Sequence, residues 1–171
     1  MLDSSSVLFA IVFVVVVLGI YLVFYFRETK KTKKEQKSPP FNAALQLQAY
    51  ERLTILSERI SLKSLMTRIA PVQMDAVTYH GLLVESIKQE YEYNVSQQLY
   101  VSAEAWQAVT NMKEQNIFIL HQLLRTLPEG ATGADLSKHI VGLLEANPKA
   151  SLHPIVLEAL KYEARRVMQG A

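Results

Sequence analysis

Twenty consecutive residues without a charge, Val7 to Phe26 (VLFAIVFVVVVLGIYLVFYF), constrain this chain more than any other feature. As a helix rising about 1.5 Å per residue, the run is roughly 30 Å long, the thickness of a bilayer's hydrocarbon core. A buried helix at the edge of a water-soluble domain keeps a polar stripe, and this run has none. Tyr21 and Tyr25 lie one turn apart at its C-terminal end, where amphipathic rings favour the membrane–water interface. A cleaved signal peptide instead needs a basic start, an apolar core of roughly 7–15 residues and a small-x-small cleavage site. Residues 1–6 (MLDSSS) contain no Lys or Arg, and bulky residues followed by Arg27 occupy the cleavage position. The expectation is a short tail at 1–6 and an uncleaved transmembrane helix at 7–26.

Arg27, Lys30, Lys31, Lys33, Lys34 and Lys37 follow the run, against Glu28 and Glu35, a net charge of +4; no basic residue precedes it. The positive-inside rule then puts the C-terminal side in the cytoplasm and the N-terminus outside, in a single-pass protein of the inner membrane. Near an anionic leaflet each of the six contributes about 1 kcal/mol, which makes them candidate lipid contacts, although a stop-transfer signal also accounts for them. The run contains no GxxxG pair that would favour tight helix dimerisation. Residues 27–41 are polar and end near Ser38-Pro39-Pro40, an extended tether and a boundary.

The whole chain carries +2, yet from Pro39 onward 12 basic residues face 13 acidic ones. The basic excess therefore belongs to the linker. A nucleic-acid binder concentrates it on the folded domain, so nucleic acid is not an expected partner. With no cysteine, a disulfide framework, thiolate metal sites and thiol catalysis are excluded.

Residues 42–171 have the helical period. Asn42 is placed to cap a first helix whose Leu45, Ala49, Leu53, Leu56 and Ile60 share one face. The pattern runs on through Leu62, Leu65 and Ile69, with room for a break near Ser61, until Pro71 ends it. A second helix begins near Asp75 and carries Leu82, Leu83, Ile87, Tyr91 and Val95. Tyr91, Tyr93 and Val95 also alternate as in a strand, but the stretch is short and has no partner, so a helix to about Gln97 and then a turn is expected. Ser102 as N-cap, Glu104 in the first turn, and Val101 with Trp106 as a hydrophobic staple start a third helix, closed by Pro128. Thr132 and Asp135 suggest a capping box for a fourth, broken at Asn147-Pro148. Ser151 is placed to cap a last one with Pro154 in its first turn. The fold class expected is all-α, an antiparallel bundle of about five helices.

Motifs that carry chemistry are sparse. His80, His121, His139 and His153 have neither HExxH nor ExxH spacing, and Asp135 with His139 reads as a surface pair. Phosphate-binding glycine loops and a nucleophile elbow are missing, so no catalytic, cofactor or metal residue is assigned. The densest polar stretch runs from Gln89 to Tyr100. There Glu90, Tyr93, Asn94, Gln97, Gln98 and Tyr100 form a candidate interaction surface, since interfaces favour tyrosine and amides direct hydrogen bonds. The same residues also read as a polar network that fixes the corner between two helices above Trp106.

LQLQAYERLTILSERI (Leu45–Ile60), EYEYNVSQQLYVSAEAW (Glu90–Trp106) and the order of anchor then basic linker resemble a family of short, uncharacterised single-pass membrane proteins of the Bacteroidota. The resemblance extends over residues 7–120, NVSQQLYVS being its most specific part. It implies a tethered helical domain and no particular activity. The function expected is a membrane-anchored, non-enzymatic adaptor or accessory subunit with a protein partner. The alternatives are a tethered enzyme built around Glu90, Glu92, Asn94 and His80 or His121, or a sensor of anionic lipid.

Overall fold

The computed structural model describes residues 43–147 and 151–170. The expected tail, transmembrane helix, basic linker and Asn42 cap lie outside the described residues, as does Pro148. Among the described residues the fold is all-helical, with no helix long and apolar enough to cross a membrane. The described residues form six α-helices: α1 (Ala43–Ile60), α2 (Leu62–Arg68), α3 (Ala76–Tyr93), α4 (Ala103–Thr126), α5 (Gly133–Ala146) and α6 (His153–Met168). A 3-10 helix at Val95–Leu99 joins α3 to α4.

The count is one more than the periodicity suggests because the chain breaks at Ser61. That residue has extended backbone (φ −62°, ψ 138°), and its hydroxyl accepts the Ser64 N–H at 3.3 Å to cap α2. A break in mid-pattern strands the last carbonyls of α1. Buried Asn116 of α4 donates from Nδ2 to the Ile60 carbonyl at 2.9 Å, and Arg68 donates to the Arg59 carbonyl at 2.6 Å. The hydrophobic period thus continues across two helices whose exposed polar ends are satisfied from elsewhere in the fold.

Asp75, Ser102 and Thr132 cap α3, α4 and α5 as their positions suggest, and Thr132 with Asp135 forms a reciprocal capping box. The caps at Asp75 and Thr132 are also bridged to each other. Ala76 N–H donates to the Ala131 carbonyl and Gly133 N–H to the Met74 carbonyl, each at 2.9 Å, so α3 and α5 start side by side. Position 133 is tight, since an added Cβ would stand 3.0 Å from the Cβ atoms of both Pro71 and Tyr79. Ser151 does not cap α6. Leu152 holds that position without a side-chain bond, and the Ser151 hydroxyl instead accepts the His153 N–H at 3.3 Å, with Pro154 in the first turn.

One hydrophobic cluster runs through all six helices. It includes Leu53, Leu56 and Ile60 of α1, Leu65 of α2, Tyr79, Leu83 and Ile87 of α3, Val109, Met112 and Leu120 of α4, Leu136 and Ile140 of α5, and Val156 and Leu160 of α6. The longest helix contact is between α1 and α6. His153, the first residue of α6, stands beside Glu58 near the end of α1, so α6 runs back along α1. Leu45, Leu82 and Val95, which the periodic pattern assigns to the buried side, are exposed, as is Ile155 in the first turn of α6. Leu45 lies at the margin of the buried arc of α1, Leu82 and Ile155 lie well off the buried faces of α3 and α6, and Val95 lies beyond the end of α3 in the 3-10 helix.

Candidate functional site

The polar stretch at Gln89–Tyr100 builds a corner in which α3 stops four residues earlier than its sequence suggests. Asn94 leaves helical geometry (φ −105°, ψ 4°), and its buried side chain donates from Nδ2 back to the Glu90 carbonyl at 2.9 Å. The side chain thus satisfies a carbonyl of the last turn and closes the helix, which is the competition with backbone bonding expected of asparagine. The chain continues as the tighter 3-10 helix, and Ser102 then opens α4. Beneath the corner, the rings of Tyr91 and Trp106 lie 5.0 Å apart between centroids, the Tyr91 hydroxyl bonds Thr110 at 2.8 Å, and Lys113 Nζ sits 4.4 Å from the centre of the Tyr91 ring. The corner is fastened to α1 as well, since the Ser102 N–H donates to the Tyr50 hydroxyl at 3.2 Å.

The six residues of the candidate surface are divided by this geometry. Asn94 and Gln97 are buried, and Gln97 Nε2 donates to Ser96 at 3.3 Å. Tyr93, 78% exposed, and Gln98 face solvent, while Glu90 and Tyr100 are partly covered. Because α3 ends at Tyr93 and not near Gln97, these six residues do not lie on one helix.

Beside the corner, between the outer faces of α1 and α3, is a groove of about 640 Å³. Gln48, Glu51, Arg52, Ile55 and Arg59 come from α1, and Ser86, Gln89, Glu90 and Tyr93 from α3, with Asn94 at the end. Its organising group is Glu90. The Arg59 guanidinium donates to Glu90 Oε1, and Arg68 stands 3.6 Å from the same oxygen. That carboxylate pushes the Arg59 pKa up. The ion pairs hold α1, α2 and α3 together on the outside and leave Arg52, Gln48 and Gln89 around a floor containing the half-exposed Ile55. Sequence spacing alone misses this groove, because it needs residues some forty positions apart. The signal that was available is the polar line Gln48, Arg52, Arg59 interrupted by Ile55 on the outer face of α1.

The groups of the enzymatic alternative are not gathered in that groove. Glu90 and Asn94 line it, and Glu92, His80 and His121 do not. The two histidines are instead neighbours of each other, with ring centroids 4.7 Å apart. Burial, and then the nearby His121, push the buried His80 below the ordinary histidine value, and its Nε2 has no hydrogen-bond partner. Asp135 is occupied by the α5 cap, where the Thr132 hydroxyl and N–H hold its carboxyl below the usual carboxylate range; Lys138 and His139 add weakly to this. A second cavity of about 630 Å³ lies among Glu58, Lys63, Ser64, Thr67, Leu144 and His153. There His153 Nε2 is 3.1 Å from Glu58, near enough for an ion pair when the ring is protonated but off the line of a hydrogen bond. Among the described residues no three His, Asp or Glu groups are placed to hold a metal.

No curated protein and no solved structure matches the chain. The family described as "Family of unknown function (DUF7935)" matches residues 2–167, a span that takes in the apolar run, the basic linker and the bundle together, and the chain belongs to that family.

Proposed function

We propose that the protein is a membrane-anchored, non-enzymatic adaptor or accessory subunit that holds its helical bundle at the cytoplasmic face of the inner membrane, with the N-terminus outside. The observation that carries this reading is the uncharged run Val7–Phe26 followed at once by six basic residues. Twenty apolar residues meet the length of a bilayer crossing, and the charge asymmetry sets its direction. The bundle then offers the α1–α3 groove to a protein partner. Ile55 and Tyr93 supply exposed apolar contact, while Arg52, Gln48 and Gln89 supply directional polar groups around it. Interfaces favour this composition, an apolar centre within a polar rim that includes arginine and tyrosine. Glu90 acts as the clamp that keeps the groove's two walls in register through Arg59 and Arg68.

The test is in-cell photocrosslinking from position 55, with the exposed Lys138 of α5 as control. A discrete protein adduct is expected from Ile55 and not from Lys138, and Arg52→Glu should abolish it without altering helix content. If Ile55 yields no adduct and gentle membrane solubilisation recovers the protein alone, the adaptor reading fails. Release of the protein by alkaline carbonate would defeat the anchor independently.

A further inference from the structure

The chain enters the bundle at Ala43, and the fold places a cluster of exposed apolar side chains at that same end. The end is defined by contacts near the start of α1. The Tyr50 hydroxyl accepts the Ser102 N–H, the 3-10 helix packs on α1, and Gln48 and Tyr93 line one groove. Around this corner Leu99 is 67% exposed, Val95 43% and Tyr93 78%, all within seven residues, and Leu45 in the first turn of α1 is 45% exposed. Scattered apolar exposure is ordinary on any protein surface. Exposure alone does not select this end either, because Val72 and Val77 are as exposed in the connection and first turn that precede the body of α3. The point of chain entry does select it.

We infer that this end of the bundle is a bilayer-docking face, with Leu45, Val95 and Leu99 seated in the interfacial layer of the leaflet and Tyr93 at its edge. The inference rests on the anchor reading of residues 7–26. A flexible chain of fifteen residues with the polar composition of 27–41 would have a root-mean-square span of about 20 Å. On the anchor reading, a tether of that length would limit how far Ala43 can stray from the membrane, at an effective concentration on the order of millimolar, so a small apolar face would suffice. Tyrosine is favoured at that depth, and leucine and valine are favoured below it. The charges at this end are mixed. Glu92 and Glu104 flank the corner, and the last turns of α6, running back along α1, bring Arg165 and Arg166. Docking is therefore carried by apolar contact and is insensitive to salt, unlike attraction of the basic linker to anionic lipid.

The absence of native cysteine makes single-site labelling unambiguous. The full chain is labelled with an environment-sensitive fluorophore at Gln98→Cys, beside the intact Leu99, or at Val72→Cys as the control. It is then reconstituted into vesicles of phosphatidylcholine and phosphatidylglycerol. At position 98 the probe is expected to emit to the blue, to be quenched by doxyl-labelled lipid, and to be several-fold less accessible to iodide than at position 72. The difference should persist in high salt and vanish with Val95→Asp/Leu99→Asp, whose sites are exposed and whose helix content should not change. Equal iodide access at the two positions in carbonate-resistant vesicles would overturn the docking face while leaving the anchor standing. Shielding from iodide without doxyl quenching would assign the face to a second copy or another protein and overturn the inference. Release by carbonate would overturn the anchor and the docking with it.

Discussion

At the scale of single residues, the group with the clearest chemical consequence is His80. It is buried against His121, its Nε2 lacks a partner, and both burial and the neighbouring ring lower its pKa from the ordinary 6.5. The unfolded chain then binds a proton at a pH where the folded chain does not, so protonation favours unfolding. The contribution is fully present above about 6.5 and is lost as pH falls below it. Urea midpoints are expected to be level from pH 8 to 7 and to decline between pH 6.5 and 5, well above the range in which Asp75 and Asp135 lose their charged caps. His80→Gln should flatten that decline, and His121→Gln should make it shallower by removing the repulsion. An unchanged slope in both variants would refute the assignment. Nothing in the local sequence shows this pair. The histidines are separated by forty-one positions and meet only because α3 packs against α4.

Helices, by contrast, were largely written into their own segments. Ser102, Asp75 and the Thr132–Asp135 box mark three starts, because a side chain within a few residues satisfies a free backbone N–H regardless of what packs nearby. The ends were harder to read. Asn94 closes α3 by bonding back to the Glu90 carbonyl, and the tyrosine-rich sequence around it fits either a continued helix or a turn. Helix α5 shows how tertiary placement reverses a local rule. Gly142 is open to solvent with nothing near its missing Cβ, so Gly142→Ala is expected to stabilise by about 0.5–1 kcal/mol through helix propensity. Gly133→Ala, in the same helix, drives a methyl into Pro71 and Tyr79 and should destabilise by about 1–3 kcal/mol. Chemical denaturation of the two variants should therefore shift the midpoint in opposite directions, and a shift of the same sign would contradict the packing at the Asp75–Thr132 bridge.

At the scale of the whole bundle, the core of the described residues is one cluster that extends to α6. Val156 and Leu160 are buried in it, and each contributes roughly 1.5–3 kcal/mol on burial. Together, at about 3–6 kcal/mol, they reach the lower end of the total stability of an ordinary domain, about 5–15 kcal/mol. Ending the chain after Asn147 is accordingly expected to abolish cooperative unfolding followed by far-UV circular dichroism. Leu160→Ala should keep the transition but lower its stability by about 2–5 kcal/mol. Retention of a sharp transition without α6 would mean that α1 to α5 hold a sufficient core by themselves.

The sequence by itself determined the all-helical class, three helix starts and the uncharged run with its basic flank, because each depends on neighbours within one or two turns. Tertiary structure decided which residues of the apolar pattern stay exposed, that Asn116 bonds across the break at Ser61, and that the polar corner is half internal scaffold and half surface. It also assembled the groove around Glu90, whose walls are joined by Arg59 and Arg68 from other helices. Helical periodicity reports which side of a helix is apolar, but not how far the neighbouring helix extends over it. That reach depends on contacts between residues distant in the chain.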